Sequence, residues 1–503
     1  MEQTQLIMQH TDSERTIAAI ATPAGQGGIA VIRVSGRDAF DIVQKMWRGK
    51  PLAQCTSHTA HLGNILQEDG SVLDQAVITL FRTPNSFTGD DTVEISVHGS
   101  RWIQREALNQ LMRCGAKPAG PGEFSQRAFA NGRMDLTQTE AVADLIAAES
   151  RAAHRLALSQ MSGAFSRKLN ELREQLIHFG SLLELELDFS EEDVEFADRT
   201  QLINSAKETL AVVQRLALSY KSGRAFKEGV PVAIAGAPNV GKSTLLNSLL
   251  DSDKAIVSDI PGTTRDIIED TREIGGILFR FIDTAGLRDT ADTVERIGIE
   301  RAKEHIDRAA VTLWLIDPTQ PLEAQLGNDL RAYLNGRNAE NANGLKQTSD
   351  ACNPSMTSES GMQPRPAIIL LTKSDIDSIP DSENKRALLS NIHALLSPGC
   401  HVISISAKTG LGIEELESEL VRTATAEHDL ENELIVTNAR HYEALTAGSD
   451  ALQRVLTGLQ TGIPTDFVAQ DVREAMHHLG LVTGAVTTAD LLTSIFSHFC
   501  IGK

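Results

Sequence analysis

The sequence predicts a multidomain protein with an N-terminal α+β domain, an all-α helical domain divided into two parts, and an α/β domain inserted between those parts. Three observations predict this fold class. A chain of 503 residues is longer than one hydrophobic core usually serves. Between residues 229 and 424, short apolar strands alternate with amphipathic helices, which is typical of a parallel sheet covered on both faces. Helical periodicity flanks that region, and neither flank can bury its apolar stripe alone.

The N-terminal domain is predicted to span residues 1–132. Residues 16–21 and 28–34 are apolar and β-branched and are separated by glycines, which indicates two strands joined by a turn. Residues 133–228 form the first part of the helical domain. We expect a capping box of Thr137 and Glu140 to open its first helix.

The second part of the helical domain is predicted to span residues 425–503. One apolar stripe there consists of Leu445, Leu452, Val455 and Leu459. A last helix is predicted to start near Thr487, with Asp490 in the capping position. Residues 338–366, inside the α/β domain, are rich in Asn, Ser, Gly and Pro, so we expect a disordered insert.

Composition and charge narrow the possible functions. No run of about 18 apolar residues could span a bilayer, and the N-terminal segment lacks a signal-peptide pattern, so we expect a soluble, cytoplasmic protein. The net charge of −20 argues against a simple nucleic-acid binder. The cysteines have neither the spacing of a disulfide framework nor that of a zinc site. They are Cys55, Cys114, Cys352, Cys400 and Cys500.

A phosphate-binding loop is the first motif that carries chemistry. The apolar run 230–235 leads into Gly236-Ala-Pro-Asn-Val-Gly241-Lys242-Ser243, and a helical pattern follows. This is the strand, loop and helix context that such a loop needs. We expect Lys242 to neutralise the β- and γ-phosphates and Ser243 to bind Mg²⁺.

Two further boxes follow in the order that GTPases have. Asp283-Thr-Ala-Gly286 ends an apolar strand that pairs with residues 267–274 through a Gly-Gly turn. Asp283 is expected to hold Mg²⁺ through water, and the Gly286 amide to contact the γ-phosphate. Gly262-Thr-Thr-Arg-Asp266 precedes this hairpin, and Thr264 is expected to sense the γ-phosphate and Mg²⁺.

The choice of base depends on two later segments. Thr372-Lys-Ser-Asp375 ends one strand and Ser406-Ala-Lys408 follows the next. Asp375 can accept from the two donors of guanine that adenine lacks, and Lys373 can stack over the base. Thr372 stands where the usual residue is Asn, so we expect guanine specificity to survive with weaker affinity. Four boxes in order predict an α/β P-loop GTPase domain of the Ras-like kind.

The residues expected to contact GTP are Asn239, Val240, Gly241, Lys242, Ser243, Thr244, Ser258, Asp259, Ile260, Pro261, Gly262, Thr263, Thr264, Asp283, Thr284, Ala285, Gly286, Thr372, Lys373, Ser374, Asp375, Ser406, Ala407 and Lys408.

The second switch departs from the Ras pattern, because Leu287 stands where Ras-like enzymes carry the Gln that orients the attacking water. Leucine cannot polarise water, so another polar group must act. Asn239 can offer a carbonyl oxygen to K⁺ beside the phosphates, where the ion would neutralise charge as an arginine finger does. Glu295 can orient water, although the residues alone favour a solvated carboxylate in the first turn of a helix.

The chain resembles the MnmE or TrmE family of tRNA-modification GTPases along nearly its whole length except residues 338–366. The motifs that carry this resemblance are the nucleotide boxes, residues 21–28, 32–36, 84–89, 93–94, 121–125 and 127–129, and the terminal Phe499-Cys-Ile-Gly-Lys503.

The resemblance implies more than the residues alone do. Such proteins are homodimers that act with an FAD-containing partner, MnmG or GidA. Together they add an aminomethyl or carboxymethylaminomethyl group to C5 of the wobble uridine, position 34, of certain tRNAs, with a tetrahydrofolate derivative as carbon donor. Their GTP hydrolysis is stimulated by K⁺ and is coupled to dimerisation of the G domains. By this resemblance Glu295 orients the water, and the K⁺ ligands are Asn239, Ser258, Ile260 and Thr263.

The resemblance also makes the N-terminal domain a tetrahydrofolate-binding and dimerisation domain. The implied folate contacts are Arg33, Glu94, Arg133 and Lys503. A carboxylate suits the donor edge of a pterin, and basic groups suit the glutamate tail. Arg133 replaces a residue that is often Lys. Cys500 is either a functional thiol near this site or a small buried thiol beside Phe499.

Two other classes of function remain open from the sequence. A switch or assembly GTPase would need no folate site. A stand-alone one-carbon transferase would not need GTP hydrolysis.

Overall fold

The computed structural model describes residues 15–188, 199–251, 269–283, 306, 308–320, 325, 367–375, 401–426 and 433–502. The chain forms two compact units. The first unit comprises Met1–Ala147, Ala157–Leu218 and Asn438–Lys503, and the second comprises Ala148–Leu156 and Ser219–Thr437. The second unit therefore interrupts the sequence of the first. The domain boundaries near residues 132, 228 and 424 stay predictions.

The strands are β1 Ile17–Ile20, β2 Gly27–Ser35, β3 Trp47–Arg48, β4 Thr59–Leu66, β5 Val72–Phe81, β6 Thr92–Gly99, β7 Lys117–Pro118, β8 Val230–Gly236, β9 Glu269–Ile274, β10 Ile277–Asp283, β11 Val311–Ile316, β12 Ala367–Leu371 and β13 His401–Ser404. The helices are α1 Ala39–Met46, α2 Arg101–Cys114, α3 Glu123–Ala130, α4 Leu136–Ala147, α5 Arg151–Met161, α6 Ala164–Asp188, α7 Arg199–Leu218, α8 Tyr220–Glu228, α9 Lys242–Asp251, α10 Ile413–Thr425, α11 Ala439–Thr461, α12 Thr465–Thr483 and α13 Ala489–Ser497.

The N-terminal part of the first unit is a mixed sheet with α1 and α2 on one face and α3 packed against Ile17 and Ala19 on the other. Its strand order is β3-β4-β5-β6-β2-β1-β7, and its pairs are antiparallel except for β1 with β7. Alternate residues such as Ile32, Val34 and Ile95 are buried in a common core with Val43 of α1 and Leu111 of α2. Side chains at the intervening positions therefore point to the opposite, outward face.

The helical part of the first unit joins segments from before and after the second unit. Helix α11 packs against α12 and α7, and α12 packs against α6. The predicted stripe on α11 is confirmed, because Leu445, Leu452, Val455 and Leu459 are all buried. The discontinuous helical domain of the predicted fold class is thus confirmed.

Two predicted helix caps are wrong, although both helices begin within two residues of the predicted positions. The capping box of α4 is formed by Asp135 and Gln138, since the Asp135 carboxylate accepts from Gln138 N at 2.9 Å and Gln138 Oε1 accepts from Asp135 N at 3.0 Å. Glu140 instead contacts α11. At α13 the N-cap is Thr488, whose hydroxyl accepts from Leu491 N at 3.3 Å.

The second unit contains the predicted α/β domain. The strands described in this unit form a sheet in the order β13-β12-β11-β8-β10-β9, and all neighbouring strands are parallel except β9 with β10. The predicted hairpin is confirmed, and Gly275 and Gly276 form its turn with φ of 59° and 85°. The carboxyl ends of β8, β11, β12 and β13 lie at one edge of the sheet, where such folds bind ligands. Residues 338–366 lie outside the described residues.

Among the residues the structure describes, no helix combines the length and apolar character that crossing a membrane requires.

Candidate nucleotide site

The loop between β8 and α9 has the backbone that a phosphate cradle needs. Gly236, Asn239 and Gly241 have φ of 147°, 60° and 106°. A Cβ on Gly236 would lie 2.6 Å from the carbonyl oxygen of Leu315, so only glycine fits there. The positive φ values at these three positions make the loop curve back on itself, and curved loops of this kind bind anions through backbone N–H groups.

The first residues of α9 bring a cation and a hydroxyl to this loop. Lys242 Nζ donates to the carbonyl oxygens of Gly236 and Ala237 at 2.8 and 2.9 Å, which holds the ammonium against the loop. Ser243 is exposed in the first turn of α9, and Val240 is buried in the core below. The positive end of the helix dipole adds to the attraction for phosphate. The exposed Ser243 hydroxyl suits a Mg²⁺ ligand, because Mg²⁺ prefers oxygen donors.

The candidate base site lies at the ends of β12 and β13. The exposed carboxylate of Asp375 accepts from Ser406 Oγ at 2.8 Å, and this hydrogen bond lowers the pKa of Asp375. Ser374 N also donates to the carbonyl oxygen of Ile405 at 3.1 Å. Ala407 is half-buried beside them. The two segments that the sequence predicts to choose guanine are therefore bonded to each other, and Asp375 is held as an ionised acceptor.

Thr372, the departure from the usual Asn, is turned into the protein. Its side chain is buried, and its hydroxyl donates to the carbonyl oxygen of Ile316 at 3.3 Å. The backbone N of Thr372 donates to the same oxygen at 2.9 Å. Thr372 therefore bonds the base loop, residues 372–375, to the end of β11. The predicted loss of affinity stays a prediction.

Asp317 is a residue of this edge that the sequence interpretation missed. It follows β11 directly, and its side chain is about 1% exposed. Its Oδ2 accepts from Lys373 Nζ at 2.6 Å. Burial opposes ionisation, but hydrogen bonds from Lys373 and Thr319 outweigh it, so the pKa of Asp317 is lowered. The signal available was an acidic residue at the carboxyl end of a strand next to the phosphate loop.

Several predicted site residues lie outside the described residues. For Asp283 the structure describes the backbone, which pairs β10 with β8 at Ile234. Those outside are Ser258, Asp259, Ile260, Pro261, Gly262, Thr263, Thr264, Thr284, Ala285, Gly286, Glu295 and Lys503.

Two of the predicted folate residues contact each other in the first unit. Arg33 and Glu94 lie opposite each other on β2 and β6. Glu94 Oε1 accepts from Arg33 Nε and Nη2 at 3.0 and 2.8 Å. The guanidinium carbon of Arg33 lies 5.1 Å from the ring centre of Phe87 and 5.6 Å from that of Phe124. The resemblance predicts the two charges as separate folate contacts, whereas the structure pairs them with each other.

The remaining folate candidates lie around the same segment. Arg133 is exposed, and its Cγ lies 3.1 Å from the point a Cβ on Gly89 would occupy, so segment 84–89 approaches Arg133 at Gly89 and Arg33 at Phe87. Cys500 is exposed, so the alternative of a small buried thiol is wrong. Its carbonyl oxygen accepts from Gly122 N at 3.4 Å.

Comparison with known proteins decides the family. The family model described as the MnmE helical domain matches residues 136–500, and that of the GTP-binding protein TrmE N-terminus matches residues 16–133. The chain belongs to the MnmE family of tRNA modification GTPases. Curated MnmE proteins of Cytophaga hutchinsonii and Parabacteroides distasonis are 47% and 46% identical to it, over 99% and 97% of this chain and 100% of each relative.

Membership of the MnmE family makes this chain a GTP-binding GTP hydrolase, in agreement with the loop around Lys242 and the carboxylate of Asp375. A solved structure of Era in complex with MgGDPNP and a segment of 16S ribosomal RNA matches 44% of this chain and 66% of its own, at 27% identity and a TM-score of 0.26. The family assignment does not depend on that partial likeness.

Proposed function

We propose that this chain is a K⁺-stimulated cytoplasmic GTPase that modifies tRNA together with an FAD-dependent partner, MnmG or GidA. The two proteins would add an aminomethyl or carboxymethylaminomethyl group to C5 of the wobble uridine, with the carbon taken from a tetrahydrofolate derivative. The relatives carry the name tRNA modification GTPase. The observation that carries the proposal is the Arg33–Glu94 pair between two phenylalanines, in a unit separate from the nucleotide site.

The Arg33–Glu94 pair fits a pterin. Glu94 Oε1 takes both hydrogen bonds from Arg33. Oε2 accepts none from the residues the structure describes, so it can meet the donor edge of a pterin ring. Phe87, which is half-buried, places apolar surface beside the same charges, and Phe124 is buried beneath Arg33, which gives the mixture that small-molecule sites use.

The end of the chain supports a folate site at the same sheet. Ile501 forms a bridge with Pro121, and a Cβ on Gly502 would lie 2.4 Å from the carbonyl oxygen of Ile20. Ile20 is one residue from Ala19, the partner of Arg33 in the β1–β2 register. This packing fixes the residue before Lys503 against β1. A terminal lysine there would supply a charge for the glutamate tail.

The outward face of the N-terminal sheet supports a homodimer. Leu62 and Val77 lie opposite each other on β4 and β5 and are 65% and 38% exposed. Val77 is in register with Ser96, two residues from Glu94, so these apolar side chains share the face of the proposed folate site. Exposed apolar surface of this kind marks an interface, and we assign it to a second copy of the chain.

The nucleotide loop supports K⁺ stimulation. Asn239 is exposed and has φ of 60°, so its side-chain oxygen is available beside the residues that hold phosphate. Amide and carbonyl oxygens suit an alkali cation, and a cation there would neutralise charge that develops on the phosphates. Lys242 would hold the β- and γ-phosphates. Glu295 would orient the attacking water, in place of the Gln that Leu287 replaces.

GTP turnover in different salts tests the cation proposal. The full chain should hydrolyse GTP about tenfold or more faster in KCl than in NaCl, because one contact that stabilises charge in the transition state changes the rate by about this much. Asn239→Ala should abolish that difference. Asn247→Ala, at an exposed asparagine of α9, is the matched control and should keep it. Equal wild-type rates in both salts would contradict the proposal.

Binding of 5-formyltetrahydrofolate to the full chain tests the folate proposal. Glu94→Gln should weaken binding about tenfold or more, because it removes a charge-assisted acceptor. Glu68→Gln, at an exposed glutamate 79% accessible, should bind as the wild type does. A wild-type chain that binds no folate would favour the alternative, a switch or assembly GTPase without folate chemistry.

A further inference from the structure

We propose that Asp317 is a positioning residue for guanine-nucleotide binding and acts by holding the Lys373 ammonium, so that the methylene stem of Lys373 covers the base. The nucleotide site of the second unit carries this inference, which does not depend on folate or tRNA chemistry.

Asp317 is built to hold one cation in one place. Its Oδ1 accepts from Thr319 N at 2.9 Å and from Thr319 Oγ1 at 2.6 Å. Its Oδ2 accepts from Lys373 Nζ at 2.6 Å and from Gln320 Nε2 at 3.2 Å. One oxygen thus anchors the carboxylate to its own turn, and the other is directed at Lys373. A buried carboxylate with this many donors keeps its charge.

The backbone of Asp317 is fixed as firmly as its side chain. Gln325 Oε1 accepts from Asp317 N at 2.8 Å, and Gln325 Nε2 donates to the Asp317 carbonyl oxygen at 2.8 Å. Gln325 is itself buried. The carboxylate therefore has little freedom to follow Lys373, and Lys373 must come to it.

Lys373 has the conformation expected of a side chain held from its far end. Its φ is 56°, a left-handed value that non-glycine residues rarely adopt. Its side chain is 36% exposed, although its ammonium contacts a carboxylate that is about 1% exposed. With Nζ held at Asp317, the methylene stem is the part of Lys373 that can face a nucleotide. Apolar stems of this kind cover flat ligands while the charge is bound elsewhere.

The replacement of Asn by Thr372 increases the importance of this contact. Both the amide and the hydroxyl of Thr372 bond to the carbonyl oxygen of Ile316, which leaves no side-chain group of Thr372 to hold its neighbours on the nucleotide side. Ile316 directly precedes Asp317. The end of β11 therefore supports the base loop twice, through a backbone carbonyl and through the Asp317 carboxylate.

A double-mutant cycle on the full chain tests the proposal, with fluorescent GDP as probe. Asp317→Asn should weaken GDP binding about tenfold, the scale of a lost charge-assisted hydrogen bond. The KM for GTP should rise by a similar factor, while kcat at saturating GTP stays within about twofold. Lys373→Met keeps the stem but removes the ammonium. Asp317→Asn in that background should have almost no further effect on GDP binding.

Glu415→Gln is the matched control, because it neutralises an exposed carboxylate of α10 in the same unit. It should bind GDP within about twofold of the wild type. If Asp317→Asn folds poorly, the GDP affinity of the double variant, Asp317→Asn with Lys373→Met, is compared with that of Lys373→Met alone. The double variant has no unpaired charge at this contact. Wild-type affinity in Asp317→Asn, additive effects in the cycle, or an equal loss in Glu415→Gln would overturn the proposal.

Discussion

Replacement of Glu140 by Gln should destabilise the helical part of the first unit. Glu140 on α4 is buried and accepts from Arg440 Nε at 3.0 Å, Arg440 Nη2 at 2.8 Å and His441 Nε2 at 2.8 Å. It thereby joins helices whose residues are 300 positions apart in sequence. Glutamine would turn a donor toward Arg440 and leave a mostly buried guanidinium without its counter-charge.

The size of the effect follows from the pKa of Glu140. Burial alone would raise it, but the charges and hydrogen bonds of His441 and Arg440 lower it from 4.5 to about 2. At about 1.4 kcal/mol for each tenfold change in acid strength, the ionised form is stabilised by about 3 kcal/mol. Because this folded-state pKa is depressed, the stabilisation is complete above pH 4.5 and is lost as the pH falls toward 2.

The assay is urea unfolding of the wild type and Glu140→Gln, followed by hydrogen exchange of the first turn of α11. The variant should be less stable by about 3 kcal/mol at pH 7, and this difference should shrink as the pH falls below 4.5. The control is Glu184→Gln. Glu184 pairs with Arg473 at 3.0 Å but both are half exposed, so its loss should cost about 0–1 kcal/mol. Equal stability of Glu140→Gln and wild type, or a difference that ignores pH, would refute the reasoning.

Three other predictions concern the two candidate sites. Gly236→Ala places a Cβ 2.6 Å from the Leu315 carbonyl oxygen, so GDP binding measured by fluorescence should fall at least tenfold, and unchanged binding would contradict this. Ser406→Ala removes the hydroxyl that holds the Asp375 carboxylate at 2.8 Å, so GDP affinity at neutral pH should fall about fivefold; an unaltered affinity would be inconsistent with the geometry. Leu62→Glu changes an exposed residue, so the chain should stay folded but become monomeric by light scattering, and a persistent dimer would exclude this face.

Local signals were enough to predict the phosphate loop and the pairing of the two segments at Asp375 and Ser406. A glycine-rich loop after an apolar strand requires positive φ values, and Gly236 and Gly241 have them. Asp375 and Ser406 could be placed together because both follow parallel strands of one sheet, and the structure joins them at 2.8 Å. These predictions needed only spacing along the chain and the rule that parallel strands end at one edge.

Contacts between distant residues could not be predicted in the same way. Thr137 and Glu140 have the spacing of a capping box, but Asp135 starts the helix earlier and Glu140 pairs with Arg440. The charges of Arg33 and Glu94 neutralise each other because of a strand register that the sequence does not display. A local pattern states what a residue can do, and the fold decides which partner it meets.

The most direct test of the central claim, that GTP hydrolysis by this chain drives modification of wobble uridine, is mass analysis of that nucleoside in tRNA. Cells would carry either the wild-type chain or Lys242→Ala as their single copy. The account predicts the modified uridine with the wild type and its loss with Lys242→Ala. Full modification in cells that have only the Lys242→Ala chain would contradict it.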